Sequence, residues 1–195
     1  EMLKYAKEVM DEMLLPLFEH CWEHGTVPDT YWSKGNITWL PKSGDLRLPS
    51  NYRGITLHSV MGKLYTSFLN QRLVKHLEGE IDGLKRISTH QNGFRTGEGR
   101  SCQEHIMSLA EVLHKNKKEG HSSYLFFQDF SKAFDLVDHD LLSYKLYKIG
   151  VTGKLHKNIM RRYKNLTSCC TANGATSSFF QVKVGTAQGC PLSPA

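Results

Sequence analysis

The sequence is short of the features that settle a protein's class at a glance. No apolar run comes near the roughly 20 residues that span a bilayer, so no membrane partner is expected. No secretory signal pattern opens it. Its five cysteines, Cys21, Cys102, Cys169, Cys170 and Cys190, are odd in number and include no C-x-x-C pair. That argues against a disulfide framework and against a zinc site, and it fits a reducing intracellular compartment. His20 and His24 flank Cys21 at helical spacing, but zinc needs three or four converging ligands, so packing or surface roles are expected. There is no internal repeat and no low-complexity stretch. Past Asp140 there is no acidic residue at all.

This last absence reshapes the charge. The 25 Lys and Arg against 19 Asp and Glu leave +6. Residues 141–195 carry Lys145, Lys148, Lys154, Lys157, Arg161, Arg162, Lys164 and Lys183, a net +8, and residues 1–140 carry −2. A concentrated positive field attracts polyanions, and phosphate backbones are the commonest large ones. A solvated basic helix face is the plainer alternative.

With 195 residues, 39% hydrophobic and 23% charged, the chain is expected to be one soluble domain or most of one. It opens on Glu1 and stops at Ala195 straight after a Cys-Pro-Leu-Ser-Pro run, the pattern expected of a piece of a longer protein. Apolar residues from Met2 to Phe18 predict an amphipathic helix over 2–24, ended by Gly25 and Pro28. Ile37–Leu40, a turn at Pro41–Asp45, and Tyr52–Leu57 predict a hairpin. Val60 to Leu77 predicts a second helix, and Gly93, Gly97 and Gly99 a loop. Ser101-Cys102-Gln103-Glu104 reads as a capping box opening a third. The apolar run at Ser123–Asp129 predicts a central strand covered on both faces. Short helices follow over 141–148 and 154–165. Asn173-Gly174 is then expected to join strands over 168–172 and 178–184.

Four fragments stand out in order: Leu40-Pro41-Lys42 with Asn51-Tyr52-Arg53-Gly54-Ile55; Gln91-Asn92-Gly93-Phe94-Arg95; Asp129-Phe130-Ser131-Lys132-Ala133-Phe134-Asp135; and Gln188-Gly189-Cys190-Pro191-Leu192-Ser193-Pro194. From about Pro28 to Ala195 the chain resembles the reverse transcriptase domain of non-LTR (LINE-type) retrotransposons. Group II intron maturases are more distant relatives. The resemblance implies an α+β, right-hand polymerase fold. Residues 1–120 would be mainly helical fingers, and 121–195 the start of an antiparallel palm sheet, with no thumb. It implies RNA-directed DNA polymerase activity by two-metal nucleotidyl transfer, with an RNA template, a DNA primer and deoxynucleoside triphosphates as partners.

The same resemblance assigns residues. Asp129 matches a metal-ligating Asp, with the carbonyl of Phe130 as a further ligand for Mg²⁺, two ions in the intact enzyme, or Mn²⁺ in their place. Asp at a strand end otherwise caps the next turn. Phe134 would lie under the sugar and leave no room for a 2′-hydroxyl, favouring deoxynucleotides; core packing is its rival role. Lys42 and Arg53 would hold the triphosphate, with Arg47 an alternative to Lys42. Where the family usually has Pro, Gly54 follows Arg53. Gln188 and Gly189 would line the nascent base pair, and Gly189 would admit close backbone approach. Arg95 would contact template or make a structural ion pair. The family's downstream aromatic-x-Asp-Asp motif has no counterpart, since no Asp-Asp pair occurs. The chain alone is therefore expected not to polymerise. A non-catalytic nucleic-acid-binding remnant and a maturase-like protein are the alternatives.

Overall fold

The computed structural model describes residues 7–28, 32–81, 84–88, 90–95, 100–172 and 174–195. The start of the expected first helix at Met2, Leu3 and Ala6 lies outside them, as do Gly97, Gly99 and Asn173.

The expected hairpin forms from β1 (Lys34–Pro41) and β2 (Tyr52–His58), antiparallel from Gly35 opposite His58 to Pro41 opposite Tyr52. Its tip is tied internally. The Lys42 amide donates to the Asn51 carbonyl at 2.7 Å, and the Asn51 side chain donates to the Asp45 carbonyl at 2.8 Å. The Tyr52 hydroxyl donates to the Leu46 carbonyl at 2.9 Å. A short hairpin alone is marginal in water, and β1 gains a second neighbour from far along the chain. Strand β5 (Thr167–Ala172) runs parallel to it, with Lys34 opposite Thr167 and Thr38 opposite Thr171. The other edge of β5 takes β6 (Ala175–Thr176) and β7 (Phe180–Gln181), both antiparallel. A separate small ladder joins β3 (Glu80–Ile81) and β4 (Leu84–Lys85).

Among the described residues, five helices accompany the strands: α1 (Lys7–His24), α2 (Val60–Leu77), α3 (Cys102–Lys118), α4 (His139–Lys148) and α5 (Gly153–Lys164). Ser59 caps α2 by accepting from the Gly62 amide. Ser101 and Glu104 form the reciprocal capping box of α3. The apolar spacing of α2 points Tyr65, Leu69, Leu73 and Leu77 inward against Cys21 of α1, Leu146 of α4, and Ile159 and Tyr163 of α5. Trp32, Phe18, Tyr65 and Phe68 stack around one another with ring centroids 5.4–6.2 Å apart. Tyr65 keeps its hydroxyl satisfied by donating to Asn158 Oδ1 at 2.7 Å, as a buried phenol requires. Burial raises the Tyr65 pKa well above the ordinary range.

The fold departs from expectation at Ser123–Asp129. This run is neither helix nor strand, and residues 121–130 are exposed throughout. Tyr124 is 95% exposed and Phe126 87%. The physical reason is pairing: a strand needs a neighbour for its backbone groups, and no described strand pairs with this run. Asp129 is therefore not at the end of a buried central strand. The sheet is also mixed rather than purely antiparallel, because β1 and β5 are parallel. Helix α3 is likewise uncovered, with Ile106, Met107 and Val112 facing outward. Among the described residues, no helix is long and apolar enough to cross a membrane.

The basic stretch divides. Lys145, Lys148, Lys157, Lys164 and Lys183 point outward, whereas Lys154 is exposed but pairs with Glu23. Arg162 is buried instead. Its guanidinium donates to the Trp32 carbonyl and to His58 Nδ1, the latter at 3.2 Å. One of the eight expected surface charges thus fastens α5 to the sheet. Burial draws the Arg162 pKa down from its ordinary value, although the neighbouring Cys190 and Tyr163 oppose that shift. The same burial pushes the Tyr163 phenol up to about 12.

Candidate functional site

The last of the four fragments gathers parts of the others around itself. The Thr56 amide on β2 donates to the Gln188 carbonyl at 2.7 Å. The Gln188 side chain donates through Nε2 to Asp135 Oδ1 at 3.2 Å. The loop ahead of it is stitched to the turn that follows Phe134. The Thr186 amide donates to the Phe134 carbonyl and the Gly185 amide to the Val137 carbonyl, both at 2.8 Å. His139 Nε2 donates to the Gly185 carbonyl at 2.8 Å, and Val184 bridges Asp138. Phe134 meets Phe94 edge to face, with centroids 6.3 Å apart and planes at 88°. Beneath it opens an apolar cavity of about 220 Å³, lined by Phe134, Val137, Leu73, Ile159 and Leu192 among others. Phe134 therefore makes the packing contacts of its rival role, while remaining only half-buried.

Gly189 shows why this position takes no side chain. Its φ is +116°, and a Cβ there would lie 2.6 Å from the Thr56 carbonyl oxygen. Replacing it strains the backbone and breaks the Thr56–Gln188 contact. Gly189→Ala is expected to cost about 2–3 kcal/mol in urea unfolding. Gly93→Ala, where a Cβ meets nothing closer than 3.4 Å, serves as the control; equal midpoints would refute the close-approach account.

The remaining expected residues are held differently. Lys42 and Arg53 are exposed on the hairpin, with Arg53 opposite Leu40. Neither side chain has a charged partner among the described residues. Arg47, the alternative to Lys42, is engaged: Nε and Nη2 donate to the two Asp45 oxygens, each at 3.1 Å. That guanidinium holds the Asp45 carboxyl below its usual range. Arg95 is more fully committed. It makes a two-pronged pair with Glu78, and Nη1 donates to the carbonyls of Ser88 at 2.8 Å and Gln91 at 3.1 Å. The ion pair set beside template contact is thus present, and it keeps the Glu78 carboxyl low and the Arg95 pKa high.

Asp129 and Phe130 lie on the exposed irregular segment, and neither shares a hydrogen bond or ion pair with the cluster around Gln188. A hard divalent ion takes about six oxygen ligands. Asp129 and the Phe130 carbonyl supply only a few, and no group of three His, Cys, Asp or Glu gathers among the described residues. The donor set present does not by itself hold such an ion. The His20 and His24 rings lie 4.4 Å apart at a tilt of 44°, with no third ligand among the described residues.

A family model described as reverse transcriptase (RNA-dependent DNA polymerase) matches residues 40–195, four-fifths of the chain and all four fragments. The chain belongs to the reverse transcriptase family. It is 28% identical over 172 residues to the retrovirus-related Pol polyprotein from type-1 retrotransposable element R2 of Popillia japonica, covering 87% of this chain and 22% of that protein. Similarity to the transposon TX1 uncharacterized 149 kDa protein of Xenopus laevis is 28% over 157 residues, covering 80% and 11%. The type-2 element R2DM polyprotein of Drosophila melanogaster is 25% identical over 191 residues, covering 98% and 17%. This reverse transcriptase chain thus spans a fifth or so of the curated relatives it matches, or less.

Sequence reasoning missed Thr56, Asp135 and Glu78 as parts of the site. Thr56 and Glu78 carry no local signal, because their partners lie 132 and 17 residues away. Asp135 had one: a second carboxylate directly after the ring of Phe134.

Proposed function

We propose that this chain carries the nucleotide-facing part of an RNA-directed DNA polymerase of a non-LTR retrotransposon. In this reading residues 1–120 are mainly fingers and 121–195 mainly palm of a right-hand polymerase. The supporting observation is the joining of Thr56, Asp135 and Gln188, which belong to or adjoin three fragments that are distant in sequence. Lys42 and Arg53 are the cations available to a triphosphate, Lys as a point charge and Arg through its fork. Phe134 offers a ring edge-on to Phe94 that excludes a 2′-hydroxyl. Gln188 and Gly189 place polar backbone and amide groups beside the nucleotide.

Asp129 and the Phe130 carbonyl would supply part of the oxygen shell of a Mg²⁺ ion, whose remaining ligands would have to come from elsewhere. A bound divalent ion would supply stabilisation of the charge that develops on phosphoryl oxygens. This chain's residues hold the nucleotide's charge and shape, and no protein nucleophile is required. The 195-residue chain alone is accordingly expected not to extend a primer with Mg²⁺ and deoxynucleotides.

Binding is the direct test. The exposed lysines of residues 141–195 should bind an RNA template annealed to a DNA primer at low salt. A log–log salt slope of about −0.7 is expected for each single-strand phosphate neutralised. Anisotropy titrations across a salt series would measure it. No binding at low salt would remove the nucleic-acid role. Binding without any response to deoxynucleoside triphosphates would favour the non-catalytic module.

A further inference from the structure

We propose that Asp135 is a positioning residue that fixes which way the Gln188 amide faces, and so sets the nucleotide contact Gln188 makes. The inference rests on the nucleotide-binding reading of Gln188.

A glutamine amide offers two donors on nitrogen and an acceptor on oxygen, and a free side chain presents either end. An ionised carboxylate only accepts. Asp135 Oδ1 lies 3.2 Å from Gln188 Nε2, so the nitrogen is held on the carboxylate. The carbonyl Oε1 is then turned away from the carboxylate, toward a ligand, with the second N–H beside it. Exchanging the two ends would set oxygen against oxygen. Gln188 thus presents its acceptor in a fixed direction, and a hydrogen-bond donor of the nucleotide, such as a sugar hydroxyl or a base N–H, is the group that the fixed orientation favours.

Both partners are held in place independently of this bond. Gln188 is pinned by its carbonyl to the Thr56 amide at 2.7 Å. Asp135 sits in a turn closed by its own amide to the Lys132 carbonyl at 2.9 Å. Its backbone also packs under Gly185, where a Cβ would come within 2.8 Å of the Asp135 carbonyl oxygen. The two main chains are laced together from Val184 to Thr186, so the side chains meet at a fixed separation. Phe134, the residue next to Asp135, gives its carbonyl to the Thr186 amide at 2.8 Å. One short segment therefore sets both the ring and the amide orientation.

The test uses the full 195-residue chain, with dTTP and Mg²⁺ as the probe. Nitrogen-15 spectra follow the Gln188 side-chain NH₂, assigned through Gln188→Ala. Asp135→Asn keeps the size but can donate as well as accept, so it permits both amide orientations. It should displace the Gln188 NH₂ signal and weaken dTTP binding about fivefold, with the unfolding midpoint unchanged. Asp135→Glu, which keeps the acceptor-only group, should restore part of the affinity. Weakening by Gln188→Ala but not by Asp135→Asn overturns the positioning role and leaves the nucleotide-site reading standing. No weakening by Gln188→Ala, or no saturable dTTP-dependent shift in the unaltered chain, overturns both. Loss of folding in Asp135→Asn would show a structural role and overturn the proposal as well.

Discussion

In any longer form of this protein that extends a primer, Asp129→Asn should slow synthesis at least about a thousandfold, with the KM for nucleotide little changed. A carboxylate at a divalent-ion site supplies several kcal/mol of stabilisation to developing charge, and about 4 kcal/mol is a factor of a thousand. The substitution is unusually clean here. Asp129 is exposed and has no hydrogen-bond or ion-pair partner among the described residues. Its removal should shift stability by no more than about 0.5 kcal/mol. Steady-state primer extension beside urea unfolding of the same proteins separates the two effects. If Asp129 merely capped a turn, stability would fall while synthesis fell less than tenfold, and the metal-ligand role would be wrong.

The second large effect is on stability. Acidification from pH 7 to pH 4 should destabilise the fold by about 3 kcal/mol through His58 alone. The ring is buried between β2 and α5, and burial, with Arg162 and then Lys63 adding to it, lowers its pKa from 6.5 to about 4. Arg162 donates to Nδ1, so the ring proton sits on Nε2, which has no partner among the described residues. The Lys34 carbonyl, 3.4 Å from the same Nδ1, opposes the shift, because it can accept from the ring only when Nδ1 carries a proton. In the unfolded chain the ring takes up a proton near pH 6.5; in the folded chain it resists until about pH 4. The contribution is therefore fully present above pH 6.5. It is lost as pH falls from 6.5 toward 4, and it levels off below. Carboxylates titrate nearby, so the measurement is the difference in pH dependence between the unaltered chain and His58→Gln, which cannot charge. Parallel profiles for the two would exclude this assignment.

Local signals carried much of this architecture. The hairpin at Tyr52, the Ser101 capping box and the apolar spacing of α2 depend on neighbours within a turn or two, and each is found where expected. Ser123–Asp129 fails for the opposite reason. Its residues favour a strand, but a strand exists only with a partner, and partnership is not written in the run itself. Arg162 is similar. Its charge reads as surface, yet the acceptors that make burial tolerable, the Trp32 carbonyl and His58, lie more than 100 residues away. At the candidate site, residue types were legible and contacts were not. Gln188 and Gly189 were identifiable, but that Thr56 and Asp135 hold them follows from the register of distant segments.

The parallel seam between β1 and β5 also governs when this protein can fold. Lys34 pairs with Thr167, so β1 leaves the ribosome long before its neighbour has been translated. At about 5–20 residues per second, the wait is on the order of ten seconds. During it the β1–β2 ribbon shows a bare edge, the kind of surface that recruits strands from other chains. A stalled or truncated message ending before Thr167 would release that edge permanently. The hairpin is thus made well before the strand that secures its inner edge.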